Sequence, residues 1–333
     1  MSGSFDGRDV VVTGADGFIG SHLVERLVEL GARVRAFAYY NSWNSIGWLA
    51  DLPPQVLAAV DIFPGDIRDA ERVAQALSGA EYVFHLSSLI GIPYSYVAPR
   101  AYVETNITGA LNVLEACRRS DRLIRLVHTS TSEVYGTAQT VPIAETHPLV
   151  GQSPYSASKI GADQLADSYY RSFQLPVVIA RPFNTFGPRQ TARAVIPTIA
   201  SQLLSGVAHL TLGALTPTRD FVFVADTVGG FLALGSCAAA EGAVVNIGTG
   251  REWSIEETAR LLMALCGREV PIHTDEQRLR PSGSEVNRLL ADTRRLSELT
   301  GWQAQTPFRG GLEATVNWIS CNLSHFAPGR YAV

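Results

Sequence analysis

The chain is poor in cysteine and does nothing patterned with what it has. Cys117, Cys237, Cys266 and Cys321 are scattered over 333 residues. No Cys-x-x-Cys pair and no histidine at metal-ligand spacing goes with them, which argues against a disulfide framework and a zinc site. A basic block is also absent: Lys and Arg number 27 against 31 Asp and Glu, a formal net charge of -4. A nucleic-acid partner needs clustered cations to displace counterions, so that class is set aside. A small phosphorylated ligand is not, because a few well-placed arginines suffice. No run of about 18 apolar residues is available to span a bilayer. Residues 1–8 are polar and lack the apolar stretch of a secretory signal. The expectation is a soluble, cytoplasmic protein in a reducing compartment, with no metal, nucleic acid or membrane among its partners.

Hydrophobic residues are plentiful, 46% against 17% charged, so a large core can be buried. The length suits two closely joined lobes better than one core. Residues 9–13 read as a short buried strand, 18–30 as a helix that stops at Gly31, and 33–38 as a second strand. Strand, glycine turn, helix and strand within about 30 residues make one βαβ unit. The alternation continues. Strands are expected at 57–63, 82–86, 123–129 and 177–180, and helices at 70–77 (capped by Asp69), 101–119 and 157–173. Such alternation predicts an α/β fold, a Rossmann-type doubly wound parallel sheet covered on both faces.

After Arg181 the texture changes. Pro182, Pro188, Pro197 and Pro217 punctuate the chain and strand signals thin out. Strands are expected again at 220–224 and 244–247, and helices at 256–265 and 293–299. The predicted division is a dinucleotide-binding domain of residues 1–185 plus about 219–247. A smaller α/β C-terminal domain of about 186–218 plus 248–333 would bind the substrate.

The turn Thr13-Gly14-Ala15-Asp16-Gly17-Phe18-Ile19-Gly20 spaces its glycines by three and three. A chain that turns sharply off a strand, admits a pyrophosphate to its backbone at a helix N-terminus and packs that helix on the sheet needs glycine at such points. Three glycines alone are a weak signal. Their place between the first strand and the first helix makes them a dinucleotide site. Gly14, Gly17, Phe18, Ile19 and Gly20 are the candidate cofactor contacts. The acid that NAD-preferring sites carry at the end of the second strand is missing, since Ala38 stands there, followed by Tyr39 and Tyr40. No 2′-phosphate-binding arginine stands there either. NAD is the expected cofactor, and NADP stays open. Asp66 and Ile67, just after a strand, suit the adenine edge.

Tyr155-Ser156-Ala157-Ser158-Lys159 puts a tyrosine and a lysine four apart, on one face of a starting helix. An ordinary tyrosine is a poor base near pH 7. A nearby ammonium and a positive nicotinamide ring favour its phenolate, so Tyr155 can take a hydroxyl proton as hydride leaves the carbon. Lys159 is also expected to hold the nicotinamide ribose. Upstream, Thr131 is placed to hydrogen-bond the substrate hydroxyl. Glu133 stands apart from that scheme. A simple alcohol dehydrogenase needs no carboxylate there. An enzyme that oxidises a sugar carbon and then removes the neighbouring C–H does, because the new ketone acidifies that hydrogen.

Together these residues resemble a known family. The glycine loop, His85-Leu86-Ser87-Ser88, Asn106-x-x-Gly109, Thr131-Ser132-Glu133-Val134-Tyr135-Gly136, Tyr155-x-x-x-Lys159 and Arg181-Pro182-Phe183-Asn184 look like an extended short-chain dehydrogenase/reductase of the nucleotide-sugar epimerase/dehydratase group. The resemblance spans essentially the whole chain. Runs at 39–45, 151–163, 189–197 and 215–221 further resemble the N-acetylglucosamine 4,6-dehydratases of legionaminic-acid-type pathways, whose substrates are UDP- or GDP-linked.

The resemblance implies roles. Tyr155 takes the C4-hydroxyl proton while hydride moves to the nicotinamide. Glu133 removes the C5 proton, water leaves C6, and hydride returns there, so the cofactor stays bound. Leu86 and Ser87 join the cofactor contacts. Arg219 and Arg280 clamp the substrate diphosphate, a task suited to guanidinium forks, and Arg189 lies in the same substrate-binding set. Asn184 lies beneath the diphosphate or sugar, and Ser88, Tyr94 and Ser132 line the sugar pocket. Several sugar dehydratases have an aspartic acid in place of Ser132 to protonate the leaving hydroxyl. Here, as in the GDP-mannose dehydratase pattern Thr-Ser-Glu, Glu133 or a water supplies that proton. A homodimer is implied through helices 101–119 and 157–173.

Other chemistries fit parts of this pattern. A 4-epimerase needs Tyr155 and Lys159 but not Glu133. A UDP-glucuronate decarboxylase also carries Thr-Ser-Glu but differs around the catalytic tyrosine. A dinucleotide-binding regulator without turnover would have no use for an intact Tyr/Lys pair.

Overall fold

The valines of residues 10–12 are buried on both sides of an extended chain, and that pattern organises the molecule. The computed structural model describes residues 4–326. The expected domain ends at 1–3 and 327–333 lie outside the described residues. Seven strands form one sheet: β1 (Asp9–Thr13), β2 (Arg33–Tyr39), β3 (Val60–Gly65), β4 (Tyr82–His85), β5 (Arg125–Thr129), β6 (Val177–Pro182) and β7 (Val244–Ile247). Their spatial order is β3-β2-β1-β4-β5-β6-β7, and every pairing is parallel. Side chains alternate across the sheet. Val10 and Val12 enter one hydrophobic cluster, and Val11 enters the one on the opposite face.

Helices cover both faces. On one side lie α1 (Phe18–Glu29) and, from far along the chain, Val224–Ser236. On the other lie α2 (Ala70–Leu77), α3 (Gly109–Arg118) and α4 (Pro154–Phe173). In α1 the buried residues Gly20, Leu23, Val24 and Leu27 recur at the spacing of one helical stripe. The helix ends where Gly31 takes φ +81°, the left-handed conformation that glycine adopts at little cost.

The expected single helix over 101–119 is broken into three parts. Pro99–Tyr102 leads into a π-helical turn, Val103–Thr108, and then α3. The wider turn carries Asn106, 2% exposed, whose amide accepts from Leu89 N and donates to Leu89 O and Ser158 Oγ. A local irregularity of this kind commonly marks a functional region. Here it ties the loop after β4 to the start of α4.

A second body of chain sits above the C-terminal ends of the strands. Its core joins Phe186 and Phe221 to α5 (Val195–Leu204), α7 (Ile255–Leu265) and α8 (Phe308–Cys321), with α6 being Val224–Ser236. Short strands stitch it together. Asn184–Phe186 pairs with Phe221–Phe223, and Leu210–Leu212 with Ile272–Thr274, both parallel. Thr218–Arg219 lies between Trp253–Ser254 and Arg288–Leu289. The chain returns to the large sheet at α6, a few residues later than residue 219, because 218–223 are held by these small pairings. The proline-marked stretch after 186 contains α5, in which Pro197 falls in the first turn, where its missing N–H costs nothing. Among the described residues no helix is long and apolar enough to cross a membrane.

Leu27 is fully buried in the cluster shared by α1 and α6. Leu27→Ala is expected to lower stability by about 2–5 kcal/mol, read as a reduced midpoint in urea denaturation.

Candidate active site

The strand order reverses between β1 and β4, so their C-terminal ends open the crevice where α/β sheets bind ligands. Gly14 turns off β1 with φ +67°, and a Cβ there would lie 2.8 Å from Ser87 N. Ser87 N and Leu86 N both donate to Thr13 Oγ1 at 3.2 Å, which seats the loop after β4 against the glycine turn. A Cβ on Gly20 would fall 2.1 Å from Gly14 O. Gly17 caps α1 with no side-chain hydrogen bond and no acid in the first turn, so the helix N-terminus is open to an anion.

Ala38 is buried within β2, as its apolar side chain requires. An acid nevertheless reaches the end of that strand from the glycine turn: Tyr39 N donates to Asp16 Oδ2 at 3.3 Å. Burial pushes the Asp16 carboxyl up. Asp66 follows β3 and is locked to Arg68 at 2.6 Å. The two share a shallow cleft with Asp69, Glu104 and Thr108, and Ile67 O accepts from Asn112 Nδ2 beneath it.

A cavity of about 760 Å³ runs from the glycine turn to the start of α4. Asp16, Gly17, Phe18 and Ile19 line one end, and Thr131, Ser132, Glu133 and Tyr155 line the other. Trp48 and His325, stacked with ring centroids 5.3 Å apart, bring the chain's two extremes together at its edge. A second cavity of about 270 Å³ adjoins it and lies against the second body. Asn184, Gln190, Arg193 and Arg280 line both. Asn184 Oδ1, Gln190 Oε1 and Arg280 Nη1 are buried there without a hydrogen-bond partner. Buried polar atoms are seldom left so, and an incoming polar ligand would satisfy them. Arg193, Arg219, Arg278 and Arg280 supply positive charge, and Phe186, Leu212, Pro217 and Phe221 supply apolar wall.

Tyr155 and Lys159 sit at the start of α4. Ser153 and Ser156 form a reciprocal cap and Pro154 occupies the first turn, so the helix starts immediately before Tyr155. Lys159 Nζ donates to Thr129 O at 2.6 Å. Thr131 caps the short turn Ser132–Tyr135 by accepting from Glu133 N at 3.2 Å. Burial holds the Tyr155 phenol well above its usual value. The Thr131 hydroxyl bond opposes that shift and the Glu133 charge adds to it. Burial also brings the Lys159 ammonium down to about 8, against the attraction of Asp163. Glu133 is itself buried, with Oε2 3.7 Å from Arg280 Nη1. Burial and the Arg280 charge lower Arg219, whereas Glu133 and Glu285 raise it.

Three expected substrate residues stand elsewhere. Arg189 turns away from both cavities, with φ +67°, and its Nη2 donates to Glu25 Oε2 of α1 at 2.8 Å. Arg193, in the same run, occupies the cavity wall instead. Ser88 Oγ bonds back to Leu86 O, and Tyr94 packs its ring on Tyr102 and stays partly exposed. The wall expected of them is built by Ile90, Gly91, Ile92 and Pro93. Asp16 lay within the glycine turn and Arg193 within 189–197, so both were in view. Trp48 and His325, 277 positions apart, carried no signal.

Comparisons with known proteins find similar sequences and similar folds. A family model described as GDP-mannose 4,6 dehydratase matches residues 11–315. The low-salt glycan biosynthesis protein Agl12 of Haloferax volcanii is 32% identical, covering 93% of this chain and 98% of its own length. The structure of the epimerase Mth375 from Methanothermobacter thermautotrophicus superposes with a TM-score of 0.87 at 29% identity, covering 96% and 94% of the two chains. A double mutant of DesIV, the dTDP-glucose 4,6-dehydratase of Streptomyces venezuelae, solved with NAD bound, gives 0.83 at 28% identity over 95% and 98%.

Lys159 provides a pH signature. Its proton leaves the folded chain at about pH 8, whereas an unfolded lysine holds one to about 10.4. Between those values the unfolded state binds more protons, so this group's contribution to stability rises with pH. Denaturation midpoints from pH 8 to 10 are expected to climb relative to Lys159→Met, and parallel curves would contradict the assignment.

Proposed function

The chain belongs to the GDP-mannose 4,6-dehydratase family, within the nucleotide-sugar epimerase/dehydratase group of extended short-chain dehydrogenase/reductases, and from that premise we propose that it is a nucleotide-sugar 4,6-dehydratase. Its substrate on this reading is UDP- or GDP-linked N-acetylglucosamine and its product the 4-keto-6-deoxy sugar. The observation that carries the reading is the Glu133 carboxylate, buried in the cavity wall with Thr131 and Tyr155.

The glycine cradle, the uncapped start of α1 and the cavity along them fit a nicotinamide dinucleotide, with NAD the reading preferred. The Asp16 carboxylate at the end of β2 supports it, because an acid there accepts a ribose hydroxyl and repels a 2′-phosphate. Gly14, Gly17, Phe18, Ile19, Gly20, Leu86, Ser87 and Lys159 would hold the cofactor, with Asp66 and Ile67 at the adenine end. When bound, it supplies the acceptor and later the donor of hydride. Tyr155 takes the C4-hydroxyl proton, with Thr131 orienting the hydroxyl. The resulting ketone acidifies the C5 hydrogen, and Glu133 removes it. As Ser132 has no carboxyl, Glu133 is also the group that hands a proton to the departing C6 hydroxyl, directly or through water. Arg193, Arg219 and Arg280 suit the diphosphate, since guanidinium forks match its oxygens.

A 4-epimerase is the second reading, favoured by the close superposition on Mth375. It would use Tyr155 and Lys159 and leave Glu133 idle.

The deciding experiment is mass spectrometry of the products from UDP- and GDP-linked N-acetylglucosamine and from dTDP-glucose. Loss of water is expected, and an isomer of unchanged mass would establish the epimerase. Glu133→Gln is expected to cut water loss by about 10²–10⁴-fold while absorbance of reduced cofactor still develops. Unchanged dehydration in that variant would remove Glu133 from the mechanism.

A further inference from the structure

Lys159 is the only lysine in the sequence, and all other side-chain cations with permanent charge are arginines. The lysine is 3% exposed, and its recorded hydrogen bond goes to a neutral carbonyl, Thr129 O. A buried ammonium facing only neutral acceptors tends to give up its proton. Four residues further along α4, and so on the same helical face, lies Asp163, 1% exposed.

Asp163 is the hub of a buried polar cluster. Its Oδ2 accepts from Ser130 Oγ at 2.7 Å and from Arg181 Nη2 and Nε at 3.0 and 3.2 Å. Its Oδ1 has no hydrogen-bond partner and lies 3.4 Å from His128 Nε2. Behind His128 stands His85, ring centroids 5.5 Å apart, whose Nδ1 meets Thr13 Oγ1 at 2.8 Å. The cations and histidines that crowd this carboxylate therefore come from α4, β4, β5 and β6: Lys159, His85, His128 and Arg181.

These groups cannot all be charged in one buried space. Burial pushes both imidazoles toward the neutral form and Lys159 acts the same way on each, while Asp163 opposes the shift at His128. Burial raises Asp163, yet His128, Arg181 and Ser130 together hold it below the usual carboxylate range. Arg181 keeps its proton at any accessible pH. Asp163 thus stays an anion, bonded to Arg181 and one helical turn from the lysine.

We propose that Asp163 is a positioning residue for the redox chemistry: it is the buried counter-charge that keeps Lys159 an ammonium at neutral pH. The proposal rests on the proposed function only in giving Lys159 its role, and its test needs no turnover.

With one lysine in the chain, lysine labelled with carbon-13 at Cε gives a single side-chain signal, that of Lys159. Its titration in the intact protein, without substrate, is expected to have a midpoint near pH 8. In Asp163→Asn the midpoint is expected to fall by a unit or more, a tenfold or larger loss of proton affinity. Where that variant fails to fold, Asp163→Asn with Arg181→Gln removes both members of the ion pair, a change buried pairs tolerate better than the loss of one. A smaller fall in the same direction is expected there, because the repulsion of Arg181 goes with the attraction of Asp163. A wild-type midpoint in either folded variant overturns the proposal and leaves Asp163 a structural residue only. A protein that titrates as described but turns over no nucleotide sugar would instead overturn the dehydratase reading.

Discussion

The close approach of α1 to the first turn of chain is the constraint on which the rest of the site depends. Gly20 packs so tightly on Gly14 that any side chain would overlap its carbonyl. That contact fixes where the helix begins, and so where its unpaired N–H groups point. Gly14 in turn lies against Ser87, which sets the loop after β4. Gly47, with φ +55°, lets Trp48 N reach Asp16 O at 3.0 Å, so the segment after β2 follows the same turn. Three walls of the cavity take their position from one backbone contact.

Beneath that surface the interior is unusually polar for the centre of a parallel sheet. Apolar clusters on the two faces supply the stabilising area. The polar groups fix position instead. Asn106 holds the loop after β4 to α4 through three hydrogen bonds. Arg181 joins Asp163 to Tyr135, whose hydroxyl donates to Asn246 in β7 at 2.7 Å. The helix α4 is thereby pinned to the loop after β4 and to β6 and β7 by directional bonds. Buried groups of this kind lose more when one partner is removed than they add as a pair.

The parts legible in sequence are those where local chain and local chemistry coincide. The glycine turn, the Tyr155/Lys159 spacing and Glu133 each sit within one short segment, and the structure gathers Thr131, Glu133 and Tyr155 in one cavity wall. A parallel sheet covered on both faces followed from alternation, though the strand expected at 220–224 pairs in the second body instead. What escaped was decided by distant contacts. Nothing local tells Arg189, held by Glu25, from Arg193, which faces the cavity. The helix Val224–Ser236 is apolar nearly all round and shows no stripe to read. The strands of the second body run two or three residues, too short for alternation, and their pairings join positions tens of residues apart.

The solitary lysine has a practical corollary. Acylating dyes, amine-reactive cross-linkers and aldehyde supports find no side-chain amine on the folded surface, because the one that exists is buried between α4 and the end of β5. A protease that cuts only after lysine has a single peptide bond to attack, near the start of a twenty-residue helix. Cleavage must wait until that helix opens, and it yields two fragments and no more. Where cleavage outpaces reclosing, the rate at which those fragments accumulate times the opening of that helix.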